Sequence, residues 1–167
     1  MPKMLPKRIH FLIADAIREE TGGKLTVMGL YAGNDIRLQG PLPTEIPDGM
    51  KGIAIPSLAI LAIITDGHGE FRTQFYLYDP NDKLLGQGAA SKLSKGKDTT
   101  QNMLFPIMPF PVPAFGRFRF VLQLDNQKYD YSFTIRHQDP TVHLPFPEVP
   151  VKTKRKSRQP QRPRSKA

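Results

Sequence analysis

The sequence predicts an all-β fold, a two-layer antiparallel β-sandwich of the Ig-like or C2-like kind, followed by a disordered basic C-terminal tail. Three observations predict it. Apolar and polar residues alternate with period two in several segments, the pattern of strands buried on one face. Turn-forming residues recur at roughly ten-residue intervals, which suits about eight short strands. The 167 residues include 17 prolines and 13 glycines, a composition that favours many short elements over a few long helices.

Residues 8–14 form a strand-like apolar run. Residues 14–20 alone would score as helix by propensity, but the run is read as a strand. Thr21-Gly22-Gly23-Lys24 is a turn, and Leu25, Val27 and Tyr31 continue as a second strand, in which Gly29 marks a bulge or a close backbone approach. Residues 54–65 are apolar on both faces and rich in isoleucine, which fits a central strand or a buried helix. Pro56 near the start favours the strand, and so does Asp66-Gly67-His68-Gly69 after it, read as a hairpin loop.

Phe71, Thr73, Phe75 and Leu77 alternate with Arg72, Gln74, Tyr76 and Tyr78 ahead of the turn Asp79-Pro80-Asn81-Asp82, where proline presets φ. Residues 83–93 read as a weaker returning strand. Residues 103–113 contain Pro106, Pro109, Pro111 and Pro113, each lacking the amide a central ladder needs, so an edge strand running into a polyproline stretch is expected. In residues 116–124, Phe118, Phe120, Leu122 and Leu124 face one way and Arg117, Arg119 and Gln123 the other. Tyr129, Tyr131, Phe133 and Ile135 repeat the pattern after Asp125-Asn126-Gln127-Lys128, giving a β-hairpin. The sandwich is thus expected over residues 1–142. Residues 143–150 (HLPFPEVP) read as a Pro-rich extended linker packed along the domain, and residues 151–167 as the tail.

Charge separates these parts. The formal net charge is +9, yet Lys152, Lys154, Arg155, Lys156, Arg158, Arg162, Arg164 and Lys166 account for eight of the 24 basic residues, and no acid lies beyond Glu148. Removing those eight leaves 16 bases against 15 acids, a net of +1. The tail has no aromatic residue and almost nothing apolar, so it cannot bury enough surface to offset the entropy of ordering. Its cations would attract any polyanion through phosphate contacts that read no sequence, and base stacking is not expected to add to them.

The absence of cysteine excludes disulfides, thiol nucleophiles and cysteine-based metal sites. The first apolar run is too short, and meets Asp15, Arg18, Glu19 and Glu20 too soon, to act as a signal peptide or anchor. Residues 53–64, the longest apolar stretch, are too few to cross a bilayer as a helix. A cytoplasmic protein with no membrane partner is expected.

The N-terminal stretch FLIADAIREETGGKLTVMGLYAGNDIRL resembles the opening of a bacterial and phage family of small sandwich domains catalogued as domain of unknown function 6941. The matching positions are residues 11–15, Glu20, Gly22-Gly23-Lys24-Leu25 and Met28-Gly29-Leu30-Tyr31, with residues 77–82 and the strand opening at Gly116-Arg117-Phe118 also similar. The resemblance spans residues 8–137 and implies the sandwich fold. It implies no activity and transfers no site residue, and the basic tail lies outside it.

Candidate chemistries are few. His10, His68, His137 and His143 show no metal-ligand spacing, and His68, in its glycine-flanked loop, is expected to be the most exposed of them. Asp79, Asn81 and Asp82, with Asp66 or Asp35, could offer oxygens to calcium, but an ordinary turn explains the tetrapeptide and the EF-hand pattern is absent. Ser57, Ser91, Ser94 and Ser132 have no GxSxG context. Gly86-Gln87-Gly88-Ala89-Ala90-Ser91 resembles half of a GxGxxG fingerprint but lacks the helix that follows one, so a flexible strand edge is expected. No cofactor is implied and no enzyme is expected. The leading expectation is a non-catalytic binding or adaptor module, with a protein partner for the sandwich and nonspecific nucleic-acid affinity in the tail. The alternative is a structural component of a phage or other assembly, joined through its Pro-rich edge, with oligomerisation left open.

Overall fold

A computed structural model describes residues 2–40 and 52–138 of the chain. In chain order the strands are β1 His10–Glu20, β2 Lys24–Leu30, β3 Asp35–Gln39, β4 Ile53–Ile55, β5 Leu58–Ile64, β6 Gly69–Tyr78, β7 Leu84–Gln87, β8 Ser91–Lys95, β9 Gln101–Ile107, β10 Phe110–Val112, β11 Gly116–Leu124 and β12 Gln127–Gln138. One layer has the order β2-β1-β5-β9. The other has the order β3-β12-β11-β6, with β7 and β8 both on β6, and β4 and β10 form a separate two-stranded ribbon. The fold is an all-β, antiparallel two-layer sandwich; among the described strands only β3, alongside β12, pairs in parallel.

The alternation read from the sequence explains how the layers meet. Phe118, Phe120, Leu122 and Leu124 of β11 are fully buried, as are Phe133 and Ile135 of β12. The Phe120 ring lies 6.0 Å from Phe11 and 5.0 Å from Phe105, both in the opposite layer, and 5.6 Å from Phe75 in its own. Burying one such side chain stabilises the fold by about 1.5–3 kcal/mol, so this aromatic contact is a main joint between the layers.

Several elements depart from expectation. Residues 54–65 do contain a central strand, flanked by β1 and β9, but Pro56 and Ser57 divide the stretch into β4 and β5. Because β5 has a partner on each side, the chain cannot fold back beside it. Asp66-Gly67-His68-Gly69 is therefore a crossover between layers and not a hairpin loop. Residues 83–93 split into β7 and β8. The break is at Gly88, whose amide bonds the Phe75 carbonyl at 3.1 Å and where a Cβ would meet the Phe75 ring at 2.2 Å. β9 is an edge strand as expected, but residues 110–112 pair with β4 instead of continuing as polyproline. In the β11–β12 hairpin Leu124 pairs with Gln127, so the turn is only Asp125 and Asn126. The predicted linker 143–150 and tail 151–167 lie outside the described residues.

An N-terminal strap closes the crossover end. Met4 and His68 exchange two backbone hydrogen bonds of 2.9 Å, the Lys7 amide donates to Asp66 Oδ2 at 3.0 Å, and the Tyr129 hydroxyl donates to the Pro6 carbonyl. Lys95, 3 % exposed, donates its ammonium to the carbonyls of Gly67 at 2.9 Å and Gly96 at 3.2 Å, tying the end of β8 to the crossover. Tyr129→Phe removes one strap bond without changing shape, so a loss of about 1 kcal/mol in urea unfolding is expected. Faster amide exchange at Met4 and His68 should accompany it. Unchanged exchange there would show that the hydroxyl does not hold the strap.

Candidate binding surfaces

The eight tail cations that the sequence marks for nucleic-acid contact, Lys152 to Lys166, all lie outside the described residues, as does His143. The remaining candidates can be placed. Asp79 is buried, and its Oδ1 accepts the amides of Asn81 and Lys83, both at 2.8 Å, so its carboxylate builds the turn. Asp82 points to Arg119 at 3.0 Å, Asp35 holds Arg37 at 2.8 Å and Arg136 at 2.7 Å, and Asp66 is engaged with the strap. Asp79 Oδ1, Asp82 Oδ1, both Asp35 oxygens and Asp66 Oδ2 are thus committed to separate tasks, whereas Asp66 Oδ1 is buried without a hydrogen-bond partner among the described residues. Among the described residues, no group of three or more histidines or acids is placed to hold a metal ion.

His10 is exposed on β1, whereas His68, expected to be the most exposed, is half-buried because the strap pairs with it. The His137 ring stacks on Phe115 at 6.2 Å and bonds the Gly40 carbonyl at 3.1 Å. Ser57 donates to the Asp15 carbonyl at 2.8 Å, Ser91 shares a 2.6 Å bond with Thr73, and Ser94 and Ser132 lie on β8 and β12. Residues 86–91 run from β7 into β8, with no helix following.

Gly29, in left-handed backbone with φ 64°, is where Asp15 packs: a Cβ there would meet the Asp15 carboxylate. This is the close approach expected in β2. The Asp15 carboxylate in turn accepts the Tyr31 hydroxyl, and burial together with that bond raises the Tyr31 pKa. Tyr131 donates to Asn34 Oδ1 at 2.7 Å, and its pKa is pushed up to about 12 by burial. An unfolded tyrosine ionises near 10, so this contribution to stability is complete below about pH 10 and is lost as pH rises toward the folded value. Urea midpoints should therefore fall between pH 9 and 12, and Tyr131→Phe should reduce that fall. An identical fall in the variant would reassign it to other groups.

The polar face of the larger layer carries cations in different states. Arg119 stacks over Tyr78 at 4.3 Å and is neutralised by Asp82 and Asp130. Asp35, between two arginines, is lowered in pKa, chiefly by the Arg37 bond. Arg72 and Lys92 differ. They stand directly opposite one another across β6 and β8, both exposed, and among the described residues neither joins an ion pair. Like charges directly opposed on a ladder are destabilising. They line a groove of ≈ 570 Å³ with Glu70, Phe71, Ala90 and Ser91. Sequence alone could not pair them, because the β6–β8 register depends on the break at Gly88. Apolar side chains are exposed elsewhere: Val27, Met28 and Leu30 lie 37–55 % exposed on edge strand β2.

Residues 9–136 match a family model described as "Family of unknown function (DUF6941)". No curated protein matches the chain.

Proposed function

Since the chain belongs to the DUF6941 family, whose function is unknown, we propose from its own residues that it is a non-catalytic binding or adaptor module whose polybasic tail holds nucleic acid through phosphate contacts. The observation that carries this reading is the charge division: eight cations and no acid after Pro150, against a net of +1 in the preceding residues. Each phosphate neutralised releases counterions, which makes the affinity salt-dependent and indifferent to base sequence. The Arg72–Lys92 groove supports the reading as a secondary anion contact on the domain.

Fluorescence anisotropy with a duplex oligonucleotide tests it, comparing the full chain with a chain ending at Pro150. The full chain should bind with a log–log salt slope of up to about −7, from eight contacts at roughly −0.9 each, and similarly on unrelated sequences. The shortened chain should lose most of that affinity. Equal binding by both would remove the tail from the account.

Strand β2 favours a second reading, a structural component of a larger assembly. Its edge is apolar and carries one charge, Lys24, whereas isolated edges are commonly guarded by charges, proline or cover. Sedimentation separates the readings, since a strict monomer at high concentration counts against assembly.

A further inference from the structure

The four-stranded layer turns an apolar surface outward as well as inward. On β5, Leu58, Ile60, Ala62 and Ile64 enter the core between the layers, whereas Ala59 and Leu61 join Ala14 and Ile17 of β1 in a second buried cluster, with Leu12, Leu25 and Ile63 packed against it. Every member comes from β1, β2 or β5. A single sheet cannot bury its own outward face, because side chains stand perpendicular to it and shield only one another's flanks. Yet Leu61 is 1 % exposed and Ile17 6 %. Among the described residues, no other strand contributes to that cluster.

We propose that this outward face is the seat of the chain's own residues 142–149 (VHLPFPEV), with Leu144 and Phe146 against Leu61 and Ala59. Val142, Leu144 and Phe146 alternate at period two, which presents three apolar side chains on one side of an extended segment. Pro145 and Pro147 lack amide donors, so the segment is suited to lying across a face and not to pairing along an edge. The other stretch outside the described residues, 41–51, has Leu42, Ile46 and Met50 without that alternation and no aromatic residue.

The point of departure also fits. β12 ends at Gln138, paired with Gln39, and Gln39 lines a groove with Ile55 and Pro56. Pro56 leads through Ser57, bonded to the Asp15 carbonyl, directly into β5. Stacked sheets lie about 10 Å apart and six extended residues span roughly 20 Å, so Leu144 can reach the face.

The chain has no cysteine, which allows a clean cross-linking test on full-length protein. Leu12→Cys combined with Leu144→Cys should link within one chain under a short bis-maleimide, located by peptide mass. No link, a link only between chains, or an equal yield when Ile46→Cys replaces Leu144→Cys would overturn the proposal. Should the double variant fail to fold, amide exchange decides: Phe146→Ser should expose β5 amides and increase binding of an apolar dye, with Phe146→Leu restoring the wild-type pattern. Exchange in β5 unaffected by Phe146→Ser would overturn it equally. Neither readout involves nucleic acid, so the result stands apart from the role assigned to the tail.

Discussion

Phe120→Ala is expected to remove about 3–5 kcal/mol of stability, which for a domain of this size lowers Tm by on the order of 10 °C. The Phe120 ring is fully buried and meets Phe11 and Phe105 across the layer interface and Phe75 beside it. Truncation leaves a cavity lined by three rings, each anchored on a separate strand that backbone pairing prevents from collapsing inward. Urea denaturation of the variant beside Arg117→Ala, whose side chain is exposed on the same strand, isolates the effect. A loss below about 1 kcal/mol would show that the ring cluster is not a main joint between the layers.

Asp79→Ala should cost about 2–3 kcal/mol, a large effect for one turn residue. Its Oδ1 holds two amides at 2.8 Å, and its own amide and carbonyl close the turn on Lys83 and Asp82. Alanine leaves the Asn81 and Lys83 amides without that acceptor where Asp79 itself is 5 % exposed. Asp79→Asn retains an oxygen at the same position and should lose less. The same experiment separates the turn from a calcium site. If calcium raised the Tm of the wild type but not of Asp79→Ala, the carboxylate would be a ligand and the turn reading would fall.

Much of the fold was legible because period-two alternation is a local signal. Phe118 to Leu124 and Tyr131 to Ile135 announced their buried faces, and the flanking prolines placed β9 at an edge. The run 54–65 was legible as a central strand only through Pro56 and the Gly-rich tetrapeptide after it, because apolar residues on both faces fit a strand covered on two sides or a buried helix equally. Its crossover was misread because a Gly-rich tetrapeptide between two strands looks the same whether the chain returns beside the first strand or steps to the other layer. β3 went unread: only Ile36 of its five residues is buried, and its parallel pairing with β12 joins residues about a hundred positions apart. Lys95 was equally hidden, since a lysine at a strand end reads as solvated unless the carbonyls of Gly67 and Gly96 are known to converge on it.

The candidate surfaces divide in the same way. The tail's charge is a property of composition and needs no fold to be seen. The Arg72–Lys92 groove and the buried outward face of β5 exist only through register and layer order.

Fold class, family and the concentration of eight cations after Pro150 could all be read from the chain, because alternation, turn chemistry and charge are local or summed quantities. Tertiary structure alone decided which strands share a layer, which cations face one another and which apolar residues form a second buried face. Those depend on contacts between residues far apart in the chain, and no local pattern encodes which distant edge a strand will find.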